Sequence, residues 1–132
     1  MSAAGVRILV VEDNTLNLEL TTELLGARGY VVLMARTAEE GLRLARAERP
    51  SLILLDIRLP GMDGVAAVRA LKRDAQTRAI PTVAMTAQAM SGDEAAALAA
   101  GFDAYVTKPI DTRTLPDLVA RLLSEGEGKE GR

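Results

Sequence analysis

Four stretches of this chain end in residues that can do chemistry. Glu12 and Asp13 follow the run ILVV, Asp56 closes LILLD, Thr86 closes the apolar run that begins at Ile80, and Lys108 follows AYVT. The set is three carboxylates, one hydroxyl and one ammonium. The chain contains no histidine and no cysteine. That excludes a Ser-His-Asp triad, a His or Cys metal cage, a disulfide, thiolate chemistry and a phosphohistidine. Any reaction must run on carboxylates, hydroxyls and lysine.

Three carboxylates do not gather unaided. Two unit charges about 4–5 Å apart repel by about 3–4 kcal/mol at an effective dielectric near 20. A divalent cation removes that cost. Oxygen-only ligands select a hard ion, and Mg²⁺ suits a site with few carboxylates and retained waters. Glu12, Asp13 and Asp56 against Lys108 leave two negative charges, which one Mg²⁺ cancels. A neutralised Asp56 can attack phosphorus and form an acyl phosphate. Mg²⁺ and Lys108 would then stabilise charge on the transferring group, and Thr86 can hydrogen-bond a phosphoryl oxygen.

Taken singly, each residue has a plainer reading. Glu12-Asp13 reads as a solvated turn, Asp56 as a turn or cap residue, Thr86 as a helix cap and Lys108 before Pro109 as a surface charge. Tyr105 reads as half-buried core, and Pro60-Gly61 as a turn. Only their joint order along the chain carries the chemical reading.

That order needs a scaffold. Strand-length runs rich in Val, Ile and Leu occur at Val6–Val11, Tyr30–Ala35, Ser51–Asp56, Ile80–Met85 and Ala104–Val106. They are continuous rather than alternating, as parallel strands buried on both faces are. Helical stretches separate them: Asn14–Arg28, Thr37–Glu48, about Asp63–Arg73, near Ser91–Ala100 and Asp111–Leu123. Thr37 with Glu40 is a capping pair, Gly29 and Gly101 are stops, and Asp111 or Thr112 can cap the last helix. Five βα units imply an α/β fold, a parallel sheet covered by helices on both sides. Ligands then sit at the C-terminal ends of strands near a switch in strand order. All the reactive residues above fall there.

The chain of 132 residues is one domain's worth and large enough for a core. Its aromatics are only Tyr30, Phe102 and Tyr105, so the core rests on aliphatic residues. A net charge of −2 without a basic stripe argues against direct nucleic-acid binding. Residues 1–5 lack the apolar core of a signal peptide, and no segment is long enough to insert in a membrane, so a cytoplasmic location is expected. The Gly-rich, charged tail 124–132 is expected to be disordered, leaving 1–123 as the domain.

The strings ILVVEDNTLNLEL, LILLDIRLPGMDG, IPTVAMTAQAM and GFDAYVTKPI resemble response-regulator receiver (CheY-like) domains. The resemblance covers about Val6 to Leu123. It implies a flavodoxin-like (βα)5 three-layer sandwich with strand order 2-1-3-4-5, itself a known instance of the switch-point rule. It implies Asp56 as phosphoacceptor, Glu12 and Asp13 as the acidic pair, Thr86 and Tyr105 as switch residues, and Lys108 as the catalytic lysine. The implied Mg²⁺ ligands are Asp13, Asp56 and the backbone carbonyl of Arg58, with Glu12 acting through water. The EDN start with Asn17 is most similar to single-domain cell-division-control regulators and to receivers of hybrid kinases. The function so implied is acceptance of a phosphoryl group from a phosphohistidine donor, a histidine kinase or histidine phosphotransfer protein. Signalling then passes through phosphorylation-dependent binding to a downstream target protein at the face formed by the fourth helix, fifth strand and fifth helix. This is a switch rather than an enzyme. Further implications are a cis Lys108-Pro109 bond and control of phosphoryl lifetime at Arg58 and Gln88. Asn14, Asn17, Leu18 and Thr21 fall on one side of the first helix, beside the Leu16/Leu20/Leu24 stripe, where Leu18 reads either as an exposed apolar residue for donor docking or as plain core packing.

Three alternatives compete. A haloacid-dehalogenase-type phosphatase would need a second Asp two residues after the nucleophile, where Arg58 stands. A flavodoxin-like cofactor binder would need a Ser/Thr/Gly phosphate loop where Glu12-Asp13-Asn14 stands. A degenerate receiver, a phosphorylation-independent interaction module, would have lost the acceptor, an acid or the lysine, and all are present.

Overall fold

The computed structural model describes residues 5–59, 62–86, 93–108 and 111–130. Five strands alternate with five helices: β1 (Arg7–Val11), α1 (Thr15–Gly26), β2 (Val31–Ala35), α2 (Ala38–Glu48), β3 (Leu52–Asp56), α3 (Gly64–Arg73), β4 (Thr82–Thr86), α4 (Asp93–Ala100), β5 (Ala104–Thr107) and α5 (Thr114–Glu130). All pairings are parallel, and the order is β2-β1-β3-β4-β5. The expected α/β architecture and strand order are therefore present.

Alternate residues of each strand feed two separate cores. Leu9, Val11, Ile53, Leu55 and Ala84 pack against α2, α3 and α4 through Leu42, Val68 and Ala97. Ile8, Val10, Leu52, Leu54, Val83 and Met85 pack against α1 and α5 through Leu18, Leu25, Leu115 and Val119. This is the three-layer sandwich, and it explains why the strand sequences are apolar without alternation. Each fully buried Leu or Ile contributes about 1.5–3 kcal/mol, enough to fix register as well as fold.

Helix boundaries follow local chemistry. Asn14 caps α1 by accepting from the Asn17 amide at 2.9 Å. Thr37 caps α2 by accepting from the Glu40 amide at 3.1 Å, and Arg49 ends it in the left-handed region before Pro50. Asp63 caps α3 by accepting from the Ala66 amide at 2.8 Å. Asp111 accepts from the Arg113 and Thr114 amides ahead of α5. Helix α1 stops at Gly26 rather than Arg28, because a turn over Ala27–Gly29 follows, with Gly29 at φ 94°.

Helix α5 runs on to Glu130. On α1, Leu18 is not an exposed docking residue: it is buried with Thr21 and Leu25, while Leu16 is 73% and Leu20 40% exposed. Residues four apart advance 40° beyond a full turn, so the Leu16/Leu20/Leu24 stripe slides around the helix. The i, i+3, i+7 set of Leu18, Thr21 and Leu25 stays over the sheet.

Candidate functional site

The ends of β1, β3, β4 and β5 are neighbours in the sheet, and they deliver five reactive residues to the same edge, two of them from β1. Glu12 and Asp13 follow β1, Asp56 ends β3, Thr86 ends β4 and Lys108 lies just past β5. Between β1 and β3 the chain has left for β2 and returned, so the acidic residues flank the point where the strand order reverses. The edge there is open to a ligand.

Lys108 ties the edge together. Its Nζ lies 2.7 Å from Asp56 Oδ2 and 2.5 Å from Glu12 Oε1. Its backbone amide donates to the Thr86 carbonyl at 2.7 Å, which carries the β4–β5 ladder one rung past the strands and sets where the side chain leaves. Asp56 is buried, and its second oxygen, Oδ1, accepts from the Arg58 amide at 2.9 Å. The carboxylate is thus oriented from two sides. Glu12 is only 2% exposed, and its Oε2 accepts from the Asn14 amide at 3.2 Å.

The electrostatics follow from this packing. Burial, and then the neighbouring Asp56 carboxyl, push the Glu12 carboxyl above its ordinary value of 4.5, and these outweigh the opposing bonds from Lys108 and the Asn14 amide. Burial works against charge on Lys108, but Asp56 and Glu12 together hold its ammonium above the ordinary lysine value.

Glu12, Asp13 and Asp56 each present a carboxylate oxygen, and these oxygens lie within 4.8 Å of one another. Asp13 is exposed whereas the other two are buried. One ammonium cannot balance three carboxylates, and an all-oxygen cluster of this size fits Mg²⁺. The residues expected from the sequence therefore converge. Thr86 is buried at the strand end beside Asp56, and Tyr105 is half-buried, packed on the α2–α4 side of the sheet. Gln88 and the Pro109 side of the Lys108-Pro109 bond lie outside the described residues.

Two residues of the site escaped the sequence reading. Gly64 opens α3 directly under Asp56: a β-carbon there would stand 2.6 Å from the Asp56 carbonyl oxygen and 2.6 Å from Ile57 Cα. The string PGMDG marks a turn but does not say which glycine touches the site. Arg36, after β2, donates from Nη1 to Thr15 Oγ1 at 2.9 Å, on the first residue of α1, just past the loop that carries Asp13. Nothing in its sequence context marks it.

Among the described residues, no helix is long and apolar enough to cross a membrane. The family model for the response regulator receiver domain matches residues 8–120. The chain is 41% identical over 118 residues to the polar-differentiation response regulator DivK of Brucella anthropi, covering 89% of this chain and 96% of that one. It resembles the receiver domain of a sensor histidine kinase from Pseudomonas aeruginosa, solved with a magnesium ion coordinated in the active-site cleft. That similarity is 35% identity and a TM-score of 0.85, over 92% and 99% of the two chains. It also resembles a CheY-like receiver domain protein from Methanospirillum hungatei, with 34% identity and a TM-score of 0.86 over 93% and 97%. With Asp56, Lys108 and the acidic pair assembled on one sheet edge, this chain belongs to the response-regulator receiver family.

Proposed function

We propose that the chain is a phosphoacceptor switch in which Asp56 takes a phosphoryl group from a phosphohistidine donor in a two-component or phosphorelay pathway. The observation that carries this is the bridge from Lys108 to both Asp56 and Glu12, with Asp13 alongside. Asp13, Asp56 and the Arg58 carbonyl are the candidate Mg²⁺ ligands, with Glu12 behind them through water. The ion would supply charge neutralisation at the transferring phosphoryl oxygens.

The chain's own residues do the rest. The Asp56 carboxylate, held by the Arg58 amide and Lys108, is presented as the nucleophile. A bond forms between one of its oxygens and phosphorus while the phosphorus–nitrogen bond to the donor imidazole breaks. Lys108 shifts from the carboxylate it neutralises toward a phosphoryl oxygen, and Thr86 donates to another. Water later attacks the phosphorus of the acyl phosphate, the bond to the Asp56 oxygen breaks, and inorganic phosphate leaves with the Asp56 carboxylate restored. The chain therefore assists its own phosphorylation and dephosphorylation and is a switch rather than a turnover enzyme.

The donor is a histidine kinase or histidine phosphotransfer protein, since this chain holds no histidine of its own. Its docking surface is the exposed flank of α1 at Leu16 and Leu20. Output passes to a downstream protein through the face of α4, β5 and α5. Residues 1–123 form the receiver unit, and the setting is cytoplasmic.

Intact-mass measurement after incubation with a small phosphoramidate or acyl-phosphate donor tests the assignment. One added phosphoryl group is expected, dependent on Mg²⁺ and absent from Asp56→Asn. Full labelling of Asp56→Asn, or labelling indifferent to a chelator, overturns it.

A further inference from the structure

The acidic loop after β1 is fastened to the end of β2. The Glu12 amide donates to the Ala35 carbonyl at 3.0 Å. From the next residue, Arg36, Nη1 donates to Thr15 Oγ1 at 2.9 Å and, more weakly, to the Asp13 carbonyl at 3.4 Å. The root of Arg36 is itself held, because its backbone amide donates to Glu40 Oε1 at 3.1 Å, at the start of α2. The guanidinium thus brackets Asp13, touching that residue's own carbonyl and the hydroxyl two positions on.

This matters because Asp13 differs from its companions. Glu12 and Asp56 are buried, so packing fixes them, and Lys108 binds both. Asp13 is exposed and stands in a loop, so packing cannot hold its carboxylate in the cluster. Resting on the reading of this cluster as a Mg²⁺ site, we infer that Arg36 is a positioning residue for divalent-cation binding, restraining the Asp13 loop so that its carboxylate is pre-set beside Glu12 and Asp56. A planar guanidinium with several fixed N–H groups can bridge two acceptors at once, which an ammonium does poorly. Supporting groups around metal ligands act on affinity in this way.

Mg²⁺ titration of the full chain, by calorimetry or by NMR of labelled protein, reads the effect without any phosphodonor. Arg36→Ala should weaken Mg²⁺ binding by about threefold to tenfold, with Arg36→Lys between it and wild type. Thr15→Val should weaken binding in the same direction, and the double substitution should be no weaker than Arg36→Ala alone, because Arg36→Ala already removes the bond that Thr15→Val breaks. In metal-free protein, the Asn14 and Thr15 amides should exchange faster in Arg36→Ala, while the melting temperature stays near that of wild type. If wild type binds Mg²⁺ and Arg36→Ala matches it within about twofold, the tether is refuted and the site reading stands. If the two substitutions add fully, Arg36 does not act through Thr15 and the inference is likewise overturned. A wild-type chain that binds no Mg²⁺ overturns the site reading itself, and the inference with it.

Discussion

The Asp56 carbonyl oxygen and Gly64 are so close that a β-carbon on residue 64 would stand 2.6 Å from that oxygen. The Gly64 amide also donates to the Ile57 carbonyl at 2.7 Å. The first turn of α3 therefore rests on the backbone of Asp56 and Ile57, and any side chain larger than hydrogen must push the two apart.

Gly64→Ala is expected to lower stability by about 1–3 kcal/mol, the usual cost of overpacking against backbone. That corresponds to a fall in melting temperature of several degrees, on the order of 3–10 °C for a domain of this size. Phosphorylation from a small donor should slow as well, since the displaced atoms are those of residues 56 and 57. Unchanged melting and labelling would show that α3 moves aside freely.

The two faces of α1 predict opposite outcomes for substitutions two residues apart. Leu18→Ala empties part of the core and should cost about 2–4 kcal/mol in denaturant unfolding. Leu16→Arg, at a position 73% exposed, should leave stability within about 0.5 kcal/mol. It should nevertheless slow transfer from a phosphorylated histidine protein by about fivefold or more, the effect of losing an interface residue worth at least 1 kcal/mol. Labelling by a small donor should be untouched. Equal loss with both donors would place the damage in the fold rather than in docking.

These two helices show what a sequence can and cannot disclose. Continuous apolar strands, the Thr37–Glu40 pair and the residues at strand ends are local signals with direct physical causes, and they locate the sheet and the site edge. The core face of α1 was hidden because one of its three buried positions is Thr21, while two exposed positions are leucines. Spacing alone does not choose between that face and the Leu16/Leu20/Leu24 stripe. Gly64 and Arg36 act through contacts made only when distant segments meet, 8 residues away in one case and 21 in the other. No periodicity announces either of them.

The raised Glu12 carboxyl gives metal-free stability a definite slope with pH. In the folded chain Glu12 keeps its proton to a higher pH than the ordinary 4.5, so over that interval the folded state binds more protons than the unfolded one. Stability from this group is present below 4.5 and falls as pH rises through its folded value. Asp74 and Asp111 act in a lower window. Backbone bonds, from Gln76 to Asp74 and from Arg113 and Thr114 to Asp111, hold both below 3.8. Their contribution is present above 3.8 and lost as pH falls further. Urea unfolding in chelator should show the decline above 4.5, and Glu12→Gln should flatten it. A wild-type curve that rises through this interval would contradict the burial of Glu12.

Charge crowding predicts a trade between metal-free stability and metal response. Unit charges 4.8 Å apart repel by about 3 kcal/mol at an effective dielectric near 20, and the exposure of Asp13 reduces its share to about 1 kcal/mol. Asp13→Asn should therefore melt slightly higher than wild type in chelator. It should lose most of the stabilisation that Mg²⁺ gives wild type, because one ligand is gone. Calorimetric scans with and without Mg²⁺ decide it, and a full Mg²⁺-induced rise in Asp13→Asn would remove Asp13 from the ligand set.

The last prediction concerns how phosphorylation reaches the surface. A switch needs two states and a ligand that prefers one of them. The acyl phosphate brings about two negative charges and new acceptor oxygens beside Thr86. Tyr105 is the register partner of Ala84, two residues before Thr86, so Thr86 and Tyr105 share one face of the sheet. Ala84, on that same face, carries only a methyl group. Above that face, α4 carries Ala95, Ala96, Ala97, Ala99 and Ala100, and only Ala97 of these is buried. Small side chains interlock weakly, so α4 can shift at modest packing cost. Movement of the Thr86 hydroxyl toward the phosphoryl group would vacate space that Tyr105 can enter, and α4 would follow. Thr86→Ala should therefore still accept the phosphoryl group on Asp56, while the phosphorylation-induced NMR shifts at Tyr105 and α4 shrink. If those shifts persist undiminished in Thr86→Ala, the relay does not run through the Thr86 hydroxyl, and Asp56 must reach the output face by another route.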